Sequence, residues 1–240
     1  MRTVAVIQAR LGSARLPMKS LLCLRGSPIV DWVVDRTRTA RLVDMVVVAC
    51  PDTPLDRVLA QHLQSRGVPV VTGPEDDVLA RYVIAARKFE AARVVRVCAD
   101  NPLIWGEAVD RLVRFHEASH AEYSYNHIPR DCLWPDGLGA EIVDRRLLER
   151  MAVEAHAPSQ REHCLNWIWD NPDRCTPATF DPEEEWLRRP DIKLDIDTAE
   201  DFRRLALLPV TRESDAREII EAADSADFQG RPDKPGTARR

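Results

Sequence analysis

Short apolar runs alternate with longer amphipathic stretches from the third residue of the chain onward. Thr3 to Gln8, Asp44 to Cys50, Val68 to Val71 and Arg93 to Cys98 are compact, mostly Val-rich and bounded by turn-forming or charged residues, which is the pattern of buried strands. Between them, Ile29 to Ala40, Leu55 to Arg66 and Asp77 to Glu90 read as helices; in the last, Val78, Tyr82, Ala85, Ala86 and Phe89 fall on one stripe. Strands alternating with helices predict parallel pairing through right-handed crossovers. The first part of the chain, roughly 120 residues, is therefore expected to form a doubly wound α/β layer with its ligands at the carboxyl ends of the strands.

After a further helical stretch, Gly106 to His120, the rhythm changes. Residues 121–190 are rich in Trp, His, Pro and Asn, and include Trp134, Trp167, Trp169 and Trp186. Ala140 to Val143 reads as a short strand and Asp144 to Val153 as a helix. The region as a whole is expected to be an irregular insertion or lid. Ile192 to Ile196, followed by a helix from Thr198 to Leu208, is expected to return to the main sheet and to close a domain spanning residues 1–210. The tail, 211–240, holds one weak helix, Asp215 to Ala223. Its Gly/Pro/Lys/Arg-rich end from Gln229 is expected to be disordered.

Composition narrows the function classes. Among 240 residues, 45% are hydrophobic and 30% charged, ordinary values for a globular chain. No apolar run approaches the roughly 20 residues of a membrane-spanning helix, and no leader-like apolar region follows Met1, so a cytoplasmic protein is the expectation. A net charge of −5 speaks against a sequence-independent nucleic-acid binder, so any phosphate site must be local. Six cysteines without a C-x-x-C pair read as reduced, mostly buried thiols. Neither G-x-G-x-x-G nor G-x-x-x-x-G-K occurs. The nearest approach, Gly137-Leu-Gly139, has Ile142 at its third glycine position. His116 and His120 have the i, i+4 spacing of zinc ligands but lack a third ligand nearby.

The loop after the first strand carries most of the chemistry: Gln8-Ala-Arg10-Leu-Gly12-Ser13-Ala-Arg15-Leu-Pro17-Met-Lys19. Three cations stand beside a Gly-Ser pair at the carboxyl end of a strand. Backbone N–H groups at Gly12 and Ser13 can face a polyphosphate while Arg10, Arg15 and Lys19 neutralise it. A solvated basic loop is the plainer alternative, but it gives no reason for the Gly-Ser and Leu-Pro punctuation.

The string A-R-x-x-S-x-R-L-P-x-K-x-L, from Ala9 to Leu21, followed by Gly26, Pro28 and Arg36, resembles the amino-terminal signature of the CMP-sugar-acid synthetases, and within them the spore-coat polysaccharide cytidylyltransferase-like branch. Similar segments follow in family order: Gly73-Pro-Glu-Asp76-Asp77 through Arg81-Tyr82, Arg96-Val-Cys-Ala-Asp100-Asn-Pro102, Pro135-Asp136-Gly137 with Glu141, Arg161-Glu162-His163, and Asp197 through Asp201-Phe202. Two positions depart from the pattern: Met18, where many relatives carry Gly, and Asp195, where the branch often has a neutral residue. The resemblance implies a Rossmann-like, mixed-sheet fold of the nucleotide-diphospho-sugar transferase (GT-A-like) type. The implied reaction is a Mg²⁺-dependent transfer of CMP from CTP to a sugar-acid-like acceptor, by a homodimer whose insertion binds acceptor and partner; the tryptophans of that insertion fit an interface as well. The implied catalytic residues are Lys19, Arg10 and Arg15, and the nucleotide would be bound by Ala9, Gly12, Ser13, Asp77, Arg81 and Asp100. Asp136, Gly137, Glu141, Arg161 and His163 would bind the acceptor, and Asp100 with Asp197 would hold the metal.

Several of these residues have ordinary structural alternatives. Asp76 and Asp77 can serve a helix dipole, Asp197 can cap a helix with Glu200 completing the box, Pro135-Asp136-Gly137 can be a surface turn, and His163 can be an ordinary helical histidine. Two rival functions also remain: a glycosyltransferase using Asp195 and Asp197 as a metal-binding pair, and a nucleotide-binding module without catalysis. A phosphonate or another polyol is an alternative acceptor.

Overall fold

The computed structural model describes residues 1–226; the tail expected to be disordered from Gln229 lies outside the described residues. In chain order the strands are β1 (Thr3–Gln8), β2 (Cys23–Leu24), β3 (Ser27–Pro28), β4 (Met45–Pro51), β5 (Val70–Gly73), β6 (Arg93–Cys98), β7 (Tyr123–Tyr125), β8 (Glu141–Asp144) and β9 (Ala178–Thr179). The helices are α1 (Ile29–Thr37), α2 (Asp56–Ser65), α3 (Val78–Lys88), α4 (Gly106–Ser119), α5 (Arg145–Glu154), α6 (Pro158–Glu162), α7 (Asn166–Asp170), α8 (Ala199–Leu207) and α9 (Ala216–Ser225).

Among the described residues the main sheet runs β5-β4-β1-β6-β8-β7-β9. β5, β4, β1 and β6 are mutually parallel, as strand-helix alternation requires, and β8 pairs antiparallel to β6. Val4 to Ile7 and Val46 to Cys50 are almost wholly buried because helices cover both faces. α1 packs with α4, and α3 with α5 and α6.

Two expectations about the second half need correction. Residues 121–190 are not a lid laid over a finished sheet. They supply β7, β8 and β9, which extend the sheet beyond β6. Their short length and interleaved polar residues hid that pairing. Ile192–Ile196, conversely, is no sheet strand. It runs extended alongside Asp136 through a single bridge at Lys193, with Ile192 O and the Leu194 N–H bonded to the Asp136 backbone. Its Ile-x-Leu-x-Ile alternation buries Ile192, Leu194 and Ile196 against the core without a ladder partner. The tryptophans also lose their value as interface markers: Trp134 and Trp167 are buried in the chain's own core, and Trp169 and Trp186 pack partly buried against it.

The Gly137-Leu-Gly139 pair has a packing cause. Gly137 has φ +98, and a Cβ on Gly139 would lie 2.1 Å from the Asn126 carbonyl oxygen. Arg36, the motif cation on α1, is structural: buried, it donates to the carbonyls of Leu103, Ile104, Arg212 and Ser214 and ties α1 to both flanking loops. His116 is likewise a satisfied core residue, held by Ser124 and Asp144 rather than by a metal pair with His120.

Candidate active site

The loop after β1 is folded around a buried anchor. The Leu11 N–H donates to Asp56 at 2.8 Å, and the Leu11 carbonyl accepts from Ser13 and Met18. Met18 is therefore held at φ 60, in the left-handed region where glycine costs least. This accounts for the glycine that many relatives carry at that position. Lys19 follows at once, opening a single 3₁₀ turn, Lys19–Leu21.

A cleft of about 270 Å³ opens at the carboxyl ends of β1 and β6, with Gln8, Arg10, Ser13, Lys19, Arg96 and Asp100 in its wall. A more open depression at the amino ends of β4 and β5, around Arg38 and Pro69, lies at the opposite edge of the sheet and gathers none of these groups. Arg10, Arg15 and Lys19 all reach the cleft from this one segment. Lys19 Nζ sits 3.0 Å from Asp100 Oδ2, 2.7 Å from the Ile196 carbonyl and 3.9 Å from Asp197 Oδ1. Arg15 grips Asp197 through two hydrogen bonds of 2.8 and 3.1 Å. Arg10 reaches Glu162 on α6 at 3.4 Å across the mouth.

Asp100 and Asp197, 97 positions apart in the chain, are joined by backbone as well: the Ile196 N–H donates to the Asp100 carbonyl at 2.8 Å. Asp197 does not cap α8. Thr198 is the cap, and Asp201 rather than Glu200 completes the capping box, so the Asp197 side chain (8% exposed) is turned instead to Arg15 and Lys19. Lys193 adds a further cation, 2.5 Å from Asp195 and 3.9 Å from Asp197. Burial raises the Asp195 carboxyl above its ordinary range against the pull of Lys193. The strict alternation Lys193-Leu-Asp195-Ile-Asp197, with Leu194 and Ile196 fully buried, signals Lys193 in the sequence, yet sequence reading passed it over.

Other sequence candidates fall at the margins. Ala9 is buried behind the loop, its N–H on the Ala49 carbonyl, while a Cβ on Gly12 would meet open space. Ser13 Oγ accepts from the Leu16 N–H and also faces the cleft. Asp77 caps α3 through the Ala80 N–H and approaches Arg161 to 3.3 Å, so a proposed nucleotide contact and a proposed acceptor contact meet each other. Arg81 is fully buried and donates to the Pro74 and Glu75 carbonyls, holding the turn before α3 rather than lining the cleft. His163 is exposed. Asp136 and Gly137 adjoin Lys193 and Leu194, and Asp136 is half-buried. Burial pushes the Cys98 thiol, which borders the cleft, up to about 11, so it is protonated and no nucleophile.

The residue types match a metal ion as well as a phosphate. Carboxylates of Asp100 and Asp197 already share one cation, the Lys19 ammonium, and hard oxygen donors are what Mg²⁺ takes. Among the described residues no group of three or more His, Cys, Asp or Glu is placed to hold a metal by itself.

A family model described as Cytidylyltransferase matches residues 4–222. The chain belongs to the cytidylyltransferase family. It is a nucleotidyltransferase, which sets aside the binding module without catalysis. Over 208 residues it is 30% identical to the spore coat polysaccharide biosynthesis protein SpsF of Bacillus subtilis, covering 85% of this chain and 84% of that one. A 3-deoxy-manno-octulosonate cytidylyltransferase of an Anaeromyxobacter species is 42% identical over 120 residues, about half of each chain. A cytidylyltransferase structure from Leptospira borgpetersenii superposes with a TM-score of 0.85 at 26% identity, covering 96% of this chain and 98% of that one.

Below the cleft, Tyr123 and His127 surround Glu141. Burial, and then the neighbouring Arg96 charge, lower the His127 pKa to about 3, so its 3.6 Å approach to Glu141 is not an ion pair. The unfolded chain protonates this imidazole near pH 6.5 and the folded one does not, so the unfolded state binds more protons as pH falls. Stability is therefore expected to be fully present above pH 6.5 and to decline below it, by about 2 kcal/mol from this group between pH 7 and 5. Urea denaturation across that range checks it, with His127→Gln expected to flatten the slope.

Proposed function

We propose that the enzyme transfers CMP from CTP to a hydroxyl of a sugar-acid-like acceptor, releasing pyrophosphate, with Mg²⁺ as its metal. The observation that carries this reading is the gathering of Arg10, Arg15 and Lys19 around one cleft, with Lys19 on Asp100 and Arg15 on Asp197. The acceptor oxygen attacks the α-phosphorus in line; the new P–O bond forms as the bond to the β-phosphate oxygen breaks, and the hydroxyl proton is lost. Arg10 and Arg15 bind and orient the phosphates, and Lys19 donates to an α-phosphate oxygen as charge builds there. Asp100 and Asp197 would hold the metal, which supplies charge neutralisation on the phosphates. Family membership favours this reading over the glycosyltransferase alternative, and Asp195 is engaged by Lys193.

The test is a pyrophosphate-release assay with each of the four nucleoside triphosphates against a panel of sugar acids, neutral polyols and phosphonates. CTP with a sugar acid is expected to give the highest rate; a higher rate with another triphosphate overturns the base assignment. A homodimer acting in the cytoplasm completes the reading. It is supported by the family resemblance, and among the described residues no helix is long and apolar enough to cross a membrane. Light scattering is expected to give twice the chain mass at micromolar concentration, and a monomer mass contradicts the dimer.

A further inference from the structure

β6 places one cation in the cleft wall that neither the phosphate loop nor the metal pair uses. Alternation puts Arg96 and Cys98 on one face of the strand, and Val95 and Val97 on the other. Arg96 lines the cleft with Cys98 and Asp100 and keeps 19% of its side chain exposed. Across the sheet, β8 sets Glu141 directly opposite Arg96 in register. The two side chains are hydrogen-bonded, Arg96 Nη1 donating to Glu141 Oε2. Glu141 is 4% exposed, and its other oxygen accepts from the Tyr123 hydroxyl at 2.6 Å.

The carboxylate is thus fully committed, and the guanidinium also meets the Cys164 thiol. Arg96 Nε is enclosed with no hydrogen-bond partner, and so is the nearby Tyr82 hydroxyl. What a molecule in the cleft can meet is the exposed part of the Arg96 side chain rather than the enclosed Nε. Direction decides which part of that molecule it meets. β6 has the phosphate loop's strand, β1, on one side and β8 on the other, and the guanidinium leans toward β8, away from the phosphate-binding side. Glu141 cancels its charge and His127 beside them is neutral, so the group offers N–H donors without a net positive field. A hydroxyl oxygen suits such a donor better than a second carboxylate does.

We propose that Arg96 is an acceptor-specificity residue that donates to a hydroxyl oxygen of the acceptor's polyol portion, with Glu141 as the residue that positions it. This deepens the reading of the same cleft as a CMP-transfer site and rests on it. Glu141, which the resemblance assigns to the acceptor directly, acts here through Arg96.

The variants must respect the buried pair. Arg96→Met alone strands the Glu141 carboxylate and is expected to destabilise the fold. The double variant Arg96→Met/Glu141→Gln removes both charges together, and thermal melting verifies that it folds. Calorimetry measures Mg·CTP binding for wild type and variant, and steady-state kinetics follow the panel acceptor that wild type uses best. The proposal expects Mg·CTP affinity within threefold of wild type, an acceptor KM raised 10- to 100-fold, and kcat changed much less. It also expects the double variant to lose wild type's preference for 3-deoxy-manno-octulosonate over its six-carbon 3-deoxy analogue, which has fewer tail hydroxyls. An unchanged acceptor KM, or an unchanged preference between those two, overturns the role of Arg96 and leaves CMP transfer standing. If wild type binds Mg·CTP yet turns over no panel acceptor, the transfer reading fails and this inference fails with it.

Discussion

Replacing Lys19 with alanine is expected to lower kcat by roughly 10²–10³, about 2.7–4 kcal/mol of transition-state stabilisation, with a much smaller change in KM for CTP. The Lys19 side chain is only 13% exposed, and its ammonium sits between Asp100 and the Ile196 carbonyl. Once the phosphates have drawn it from the carboxylates, the ammonium is a donor beside the α-phosphate as charge grows there. Stability is expected to fall by only about 1 kcal/mol, because the ion pair with Asp100, itself 28% exposed, is partly solvated. Melting temperature and single-turnover rate separate the two effects. Lys19→Ala with wild-type kcat but a much lower melting temperature would make Lys19 a strut between the loop and the Asp100 strand end.

Asp100→Asn and Asp197→Asn are each expected to reduce turnover by at least roughly 10², and the double variant to be little worse than the worse single one, as for groups that act as a unit. Both carboxylates now share Lys19, at 3.0 and 3.9 Å, and Asp197 also holds Arg15. Phosphates that draw off Lys19 and Arg15 release the carboxylates for a cation, so nucleotide and metal are expected to raise each other's affinity by the same factor. Mn²⁺ titration with and without a non-hydrolysable CTP analogue measures that factor in wild type, and both Asn variants are expected to lose it. Additive kinetic losses would mean that the two carboxylates act separately.

The parallel half of the fold was legible because β1, β4, β5 and β6 are buried, largely Val-rich runs, and because the connections between them are long enough to be helices. The antiparallel half was not, for a physical reason. β7 is the three-residue Tyr123–Tyr125, whose tyrosines read as part of an irregular aromatic region until they are seen stacked at 5.8 Å beside Glu141. Ile192–Ile196 shows the opposite error, since a chain buried beside one bridge partner needs the same apolar alternation as a strand. Within the cleft, the loop from Arg10 to Lys19 could be read from local charge and turn chemistry. The encounter of Lys19 with Asp100 and Asp197 depends on the pairing of Ile196 with Asp100 and has no local signature. Arg96 did leave a signal, a charge between the valines of its strand, but reading it requires Glu141 across the sheet.

In the proposed reaction the α-phosphate of CTP passes to an acceptor hydroxyl while the two outer phosphates leave together. Incubating the enzyme with Mg²⁺, the best panel acceptor and CTP labelled with ³²P either at the α- or at the γ-position tests it most directly. α-Label is expected in an acceptor conjugate and γ-label only in pyrophosphate, in equal amounts. γ-Label in the acceptor, or in free orthophosphate with CDP as the other product, would contradict it.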